Sequence, residues 1–271
     1  MPSTHRLSIS ETVPEGSDPD SPLVVLVHGS LDRAASFARV RRRLGDLHTL
    51  AYDRRGYQGS RQALPLNTTL EGHVADLLAV MDGRPSVVVG HSYGGTIALG
   101  AALSGDRSPI VAVAAYEPPM PWLPGWPRSP SGRSAPGVHR AGVPAETDEE
   151  AAERFFRRMV GDGAWDRLSE EGRRSRRDDG PALVAELRAI RLDEAPYDVT
   201  ALDVPSIFGR GGASVGRHRD TVGWLVDHTP GAELFEIDGA AHGAHLTHPD
   251  GFAALVRATL ARAGQPLEPS L

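Results

Sequence analysis

The segment Val87-Val88-Val89-Gly90-His91-Ser92-Tyr93-Gly94-Gly95 holds a serine in the setting of a nucleophile. A β-branched run leads into G-x-S-x-G, and the helix-compatible Thr96-Ile97-Ala98-Leu99-Gly100-Ala101-Ala102-Leu103 follows. A serine at so sharp a strand-to-helix turn adopts a strained backbone conformation, and glycines two residues to either side, Gly90 and Gly94, make room for it. The strain lifts the hydroxyl above the sheet, where the start of the helix aims backbone N–H groups at any oxyanion that develops. A serine alcohol attacks poorly at neutral pH, so a histidine base must sit within hydrogen-bond reach, itself oriented by a carboxylate. Composition excludes other covalent chemistries. The chain has no cysteine, and its 29 basic residues are all arginine, which removes thiolate nucleophiles, thiolate metal sites, lysine Schiff bases and a P-loop lysine.

Positioning such a serine takes a sheet, and the sequence supplies one. Short apolar runs at Leu23 to Val27, Thr49 to Tyr52, Val87 to Val89, Ile110 to Tyr116, Ser206 to Phe208 and Leu234 to Ile237 alternate with helical patterns. Continuous apolar runs of this length read as parallel strands buried on both faces, so the fold class is α/β: a mostly parallel central sheet flanked by helices. Residues 7 to 13 alternate and form a candidate antiparallel edge strand. Phe37 to Leu44 fits a first crossover helix, and Pro249 with Phe252, Leu255, Val256 and Leu260 a last one, ended by Gly264. From Pro118 to about Pro136 the chain is too rich in proline and glycine for a helix or central strand, and an arginine-rich helical segment follows. There Thr147 and Glu150 have capping-box spacing, Phe155, Phe156, Met159 and Val160 form a stripe that Gly161 closes in the left-handed conformation, and Gly180-Pro181 opens a helix carrying Leu183, Leu187 and Ile190. The expected organisation is a core of residues 1–117 and 201–271, interrupted by a helical insertion over 118–200.

With 271 residues, 40% of them apolar and 24% charged, the chain has the composition of a globular domain able to bury its own core. A net charge of −6 argues against nucleic acid or anionic membrane as its main partner. Neither a signal-peptide-like start nor a run near the roughly 18 apolar residues of a membrane span is present, so a cytoplasmic location is expected.

Taken together, these motifs resemble the α/β-hydrolase superfamily over nearly the whole chain. The resemblance makes His28-Gly29-Ser30 the oxyanion loop, with the backbone amides of Ser30 and Tyr93 as its donors, and makes Tyr52 to Ser60 (YDRRGYQGS) a structural D-x-R-G-x-G-x-S run. The family's chain order places the base last, at His242 in Gly239-Ala240-Ala241-His242, with His245 and His248 as competitors. The acid departs from the commonest pattern, because Gly212 stands where most members carry aspartate. Some members supply it from the preceding strand end, which here is Glu117; a charge ending an apolar strand at the sheet's carboxyl edge is also where open α/β sheets keep ligands. Asp220 and Asp238 are the alternatives. His28 is expected to support the oxyanion loop or line the substrate site, and His91 to pack against the core.

The resemblance implies a helical cap inserted after the sixth strand, with Met120, Trp122 and Trp126 facing substrate; Phe155, Phe156 and Trp165 either join that lid or form the cap's own core. Arg173-Arg174-Ser175-Arg176-Arg177 reads as a solvated helix face, or as a docking patch for an acyl carrier protein. The implied activity is a serine hydrolase cleaving a small-molecule ester or thioester of a small to medium apolar acyl group through an acyl-enzyme, with no metal or organic cofactor. Alternatives on the same scaffold are acyl transfer, lyase, carbon–carbon hydrolase or perhydrolase chemistry, and a non-catalytic ligand-binding homologue.

Overall fold

Leu23–Val27 (β2) is buried at all five positions, with Leu23, Val25 and Val27 in one apolar cluster and Val24 and Leu26 in another. That two-sided burial is what an unbroken apolar run requires, and it sets the layering of the molecule. The computed structural model describes residues 7–263 except 17, 19–20, 68, 106–108, 124–125, 127–145 and 191–193. Its remaining strands are Ile9–Thr12 (β1), Thr49–Tyr52 (β3), Ser86–His91 (β4), Ile110–Tyr116 (β5), Ser206–Gly211 (β6) and Glu233–Ile237 (β7). They form one sheet in the order β1-β3-β2-β4-β5-β6-β7, in which β1 alone runs antiparallel. The edge strand expected within residues 7 to 13 is β1.

The helices are Ala38–Arg41 (α1), Leu70–Met81 (α2), Tyr93–Ala102 (α3), Asp148–Val160 (α4), Asp162–Asp166 (α5), Glu170–Asp178 (α6), Gly180–Ala189 (α7), Gly216–His228 (α8), Ala244–Thr247 (α9) and Pro249–Arg262 (α10). Leu77, Ile97, Val222 and Leu225, from α2, α3 and α8, cover one face of the sheet. Phe37, Val40, Phe252, Leu255 and Val256 cover the other. The last helix stops at Arg262 with Ala263 beyond it, and Gly264 lies outside the described residues.

Helices α4 to α7 enter the chain between β5 and β6, so the insertion follows the fifth strand and not the sixth. Among the described residues a single edge strand precedes β2, which lowers the strand count at that point by one. Thr147 caps α4 with a full capping box, in which the Thr147 N–H donates to Glu150 Oε2 at 2.8 Å. Gly161 closes α4 at φ 100°, ψ 153°, an extended glycine-only conformation instead of the left-handed helical one, because α5 begins at the next residue. Phe156, Trp165 and Leu183 form a separate small core with Leu31 and Tyr57 of the main body. No helix of the described residues is long and apolar enough to cross a membrane.

Candidate active site

Parallel pairing brings three loops to one level at the carboxyl edge of the sheet. Val27 pairs with Gly90, setting the loop after β2 beside the turn after β4, and His91 pairs with Tyr116, setting Glu117 level with Ser92. The chain reverses its direction of travel across the sheet between β2 and β4, the crevice where such sheets bind ligands.

Ser92 sits in that turn at φ 53°, ψ −128°. Its strain is held by close packing on both sides. A Cβ at Gly90 would stand 2.2 Å from the Gly94 carbonyl oxygen, and one at Gly94 would stand 2.1 Å from that of Val27, so only glycine fits either place. The Ser92 N–H donates to Tyr116 O at 2.8 Å, which locks the turn to the end of β5. As the first residue of α3, Tyr93 has a backbone N–H without an acceptor inside the helix. Its hydroxyl and that of Tyr197 are buried without a hydrogen-bond partner among the described residues.

Glu117 is fully buried and adopts a left-handed φ of 47°, which turns its side chain out of the line of β5. Its Oε1 accepts from the Gly211 N–H at 2.9 Å and its Oε2 from His242 Nδ1 at 2.8 Å. Burial opposes ionisation, but the bonds from His242 and Gly211 outweigh it and hold the carboxyl below its ordinary value. With Nδ1 donating to a carboxylate, His242 presents Nε2 as an acceptor, and Ser92 Oγ lies 3.0 Å from it. The structure thus brings Ser92, His242 and Glu117 into one hydrogen-bonded line. Asp220 and Asp238 are exposed, and both ring nitrogens of His242 are already engaged, by Glu117 and Ser92.

The loop carrying His242 is gripped at three successive carbonyls. Ala240 O accepts from the Ala213 N–H at 2.8 Å, Ala241 O from Tyr116 Oη at 3.0 Å and His242 O from His91 Nε2 at 2.7 Å. His91 therefore packs as expected and also holds the loop that carries His242. Its burial keeps it neutral, far below the usual histidine range. His245 is buried against Asp32, Nε2 to Oδ2 3.0 Å, and His248 marks the start of α10, so neither reaches Ser92.

His218, on α8, is a site residue that the sequence reading passed over. Its ring stacks on His242 with centroids 4.4 Å apart and 14° between planes, and its Nδ1 lies 4.0 Å from Glu117 Oε2. Burial, then the nearby His242, pushes it down to about 4, so it stays neutral beside that ring. A signal was there to find: positions 218, 221, 222 and 225 are the buried ones of α8, an i, i+3, i+4, i+7 stripe that begins with this histidine.

Around the loop after β2, His28 is wholly buried, with Nδ1 bonded to Gly29 O at 2.8 Å and Nε2 accepting from the Arg54 N–H at 2.9 Å. Both ring nitrogens being used, it braces the loop and presents nothing to a substrate. Burial, then Arg54, lowers it to about 3. Met120 is buried in the main core, whereas Trp122 and Trp126 are half-buried, and Trp122 meets Tyr197 edge-on at 5.7 Å. Phe156 and Trp165 belong to the small core of the inserted helices. Of the arginines on α6, Arg173 bonds to Trp165 O and Asp166 O, Arg176 to Leu31 O and Arg177 to Glu153, which leaves Arg174 exposed. Two trios, Asp32 with His91 and His245 and Glu117 with His218 and His242, hold ligand-type atoms within 4.8 Å of one another. In each, the carboxylate already faces an imidazole nitrogen at hydrogen-bond distance.

A model of the alpha/beta hydrolase family matches residues 24–255. Among solved structures, an alpha/beta hydrolase from Sphaerobacter thermophilus is 25% identical, with 93% of this chain and 95% of that one covered at a TM-score of 0.67. A bromoperoxidase from Bacillus anthracis superposes at 0.70 with 19% identity, covering 93% and 94%, and an enol-lactonase from Burkholderia xenovorans at 0.66 with 20% identity, covering 94% and 96%. No curated protein matches the sequence.

Proposed function

Because the chain belongs to the alpha/beta hydrolase family, we propose that it is a serine hydrolase that cleaves esters or thioesters of small to medium apolar acyl groups through an acyl-enzyme. The observation that carries this reading is the continuous line from Ser92 Oγ through His242 to Glu117, at 3.0 and 2.8 Å. In the first half-reaction Ser92 Oγ attacks the acyl carbon while His242 Nε2 takes its proton; the imidazolium then returns that proton to the leaving group. Glu117 fixes the tautomer of His242 and stabilises the imidazolium, and the neutral ring of His218 adds no positive charge beside it. The Ser30 and Tyr93 amides stabilise the oxyanion. Water deprotonated by His242 then attacks the acyl-enzyme and releases the acid. Helices α4 to α7 act as a cap over this site, the half-buried Trp122 supplying apolar surface for the acyl chain.

Exposure to a fluorophosphonate followed by peptide mass spectrometry tests the reading. Labelling confined to Ser92, and lost in His242→Ala, is the expected result. A folded protein that stays unlabelled would remove the nucleophile and with it the proposal.

A further inference from the structure

The turn at Ser30 and Leu31 is held by side chains from outside the loop. Leu31 sits at φ 53°, the left-handed region that a bulky residue enters only under external constraint. The constraint comes from four side-chain contacts. Arg54, itself buried, donates from Nε to His28 O and from Nη2 to Gly29 O, both at 2.9 Å. Arg176 of α6 donates from Nη1 to Leu31 O at 2.7 Å. Glu186 of α7 accepts from Ser30 Oγ through Oε1, while its Oε2 meets Arg54 Nη1 at 2.7 Å and Tyr57 Oη at 3.0 Å. Two of these anchors, Arg176 and Glu186, belong to the inserted helices.

Peptide geometry turns those grips into a direction. In a trans peptide the carbonyl and the following N–H point to opposite sides, so Arg54 on Gly29 O aims the Ser30 N–H away from Arg54. The same loop touches the nucleophile, for a Cβ on Gly29 would lie 2.9 Å from Ser92 Cβ. Arg54 can remain buried in this place only while a counter-charge matches it, and Glu186 is that charge. Further contacts seat the helices on the same part of the core: the buried Asp179 accepts from the Gln58 N–H at 3.1 Å and from Arg61 Nε at 2.8 Å, and Gly56 packs so closely on Ala182 of α7 that an added Cβ would stand 2.7 Å away.

We propose that Glu186, with Arg176, is a positioning residue for the oxyanion loop, so that docking of the cap helices completes the oxyanion hole. The proposal rests on Ser92 being the nucleophile. In effect the site is finished from two directions: the core sets the nucleophile, the base and the Tyr93 amide, and the inserted helices set the Ser30 amide. A cap that lifted would leave the line of Ser92, His242 and Glu117 in place with Ser30 unaligned.

Saturable fluorophosphonate labelling of the full chain separates kinact from the initial affinity KI and needs no natural substrate. For Glu186→Gln, kinact is expected to fall about tenfold to a hundredfold with KI within about threefold, since oxyanion contacts strengthen in the transition state. Ser30→Ala keeps the backbone donor and the Arg54–Glu186 pair, and its kinact is expected to fall about threefold to tenfold. Combined, the two substitutions should be no worse than Glu186→Gln alone, because both act on one contact. Arg174→Ala, on the exposed side of α6, should label as the parent does. A folded Glu186→Gln with parental kinact, a loss confined to KI, or additive losses in the double variant would overturn the proposal. Should Glu186→Gln fail to fold, Ser30→Ala decides: parental kinact there overturns it equally. An unlabelled parent protein would instead overturn the assignment of Ser92.

Discussion

Two loops meet Ser92, and they are built on different principles. The loop carrying the proposed base, residues 239–243, has three successive carbonyls held by neutral donors of the core: Ala213 N–H, Tyr116 Oη and His91 Nε2. The loop proposed to hold the oxyanion, residues 28–31, has the carbonyls of His28, Gly29 and Leu31 held by the guanidinium groups of Arg54 and Arg176, one of which arrives from the insertion. Neutral grips made within the core persist whatever the insertion does. Charged grips depend on a partner, here Glu186, and on exclusion of water. On the proposal above, the His242 side of the site is intrinsic to the fold, whereas the Ser30 side is conditional on the inserted helices.

The largest test of that division is Glu117→Gln. An amide keeps the shape but can no longer impose the Nδ1–H tautomer on His242, so kcat is expected to fall by about 10³ to 10⁴, as for other amide replacements of a triad acid. Asp220→Asn should stay within about twofold. Steady-state ester hydrolysis with circular dichroism as a check on folding measures both, and the opposite ranking would place the acid outside the intrinsic half.

The same division explains what could be read in the sequence. The elbow was legible because its causes are local: Gly90, Ser92 and Gly94 clash or fit with their own neighbours, and the β-branched run before them declares the strand. Assigning His242 and Glu117 took chain order and a strand end, both sequence properties, together with the family resemblance; the structure brings the two within 2.8 Å of each other. Arg54 and Glu186 were not legible as a pair, since a contact between residues 132 positions apart leaves no spacing to read. Glu186 did carry half a signal, an acid three residues after Leu183 on the buried stripe of α7. The strand count missed by one because the resemblance, and not this chain's own runs, set the number of strands ahead of the insertion.

A middle-sized effect sharpens the comparison by showing charge logic within both halves. His28 and His73 near Arg54, and His91 and His218 near His242, are all pushed below the ordinary histidine value, chiefly by burial, His28 to about 3 and His218 to about 4. Each stays neutral when folded and gains its proton on unfolding once the pH drops below about 6.5. Their contribution is therefore fully present above that pH and falls away below it, at about 1.4 kcal/mol per pH unit for each histidine. Urea unfolding at pH 7.5 and 5.5 should show the chain losing several kcal/mol, and His218→Leu should lessen the dependence by about 1.4 kcal/mol per unit. Parallel curves for parent and variant would mean that His218 is charged in the folded state.

The smallest effect is expected at Gly212, where the usual acid is missing. A Cβ there meets the Gly239 nitrogen at 3.5 Å and Glu236 Oε1 at 3.6 Å, both ordinary contacts, and the residue has no positive φ. One position earlier, a Cβ at Gly211 would stand 2.2 Å from Ala240 O, the first of the three gripped carbonyls. Gly212→Ala should therefore stabilise the chain by about 0.4–1 kcal/mol through the unfolded state, with turnover unchanged. Gly211 has no such freedom, because its N–H anchors Glu117 and its bare Cα is what lets the base loop close over the carboxylate. If Gly212→Ala instead lowered kcat, residue 212 would still take part in orienting His242, and the acid could not be said to have moved wholly to the end of β5.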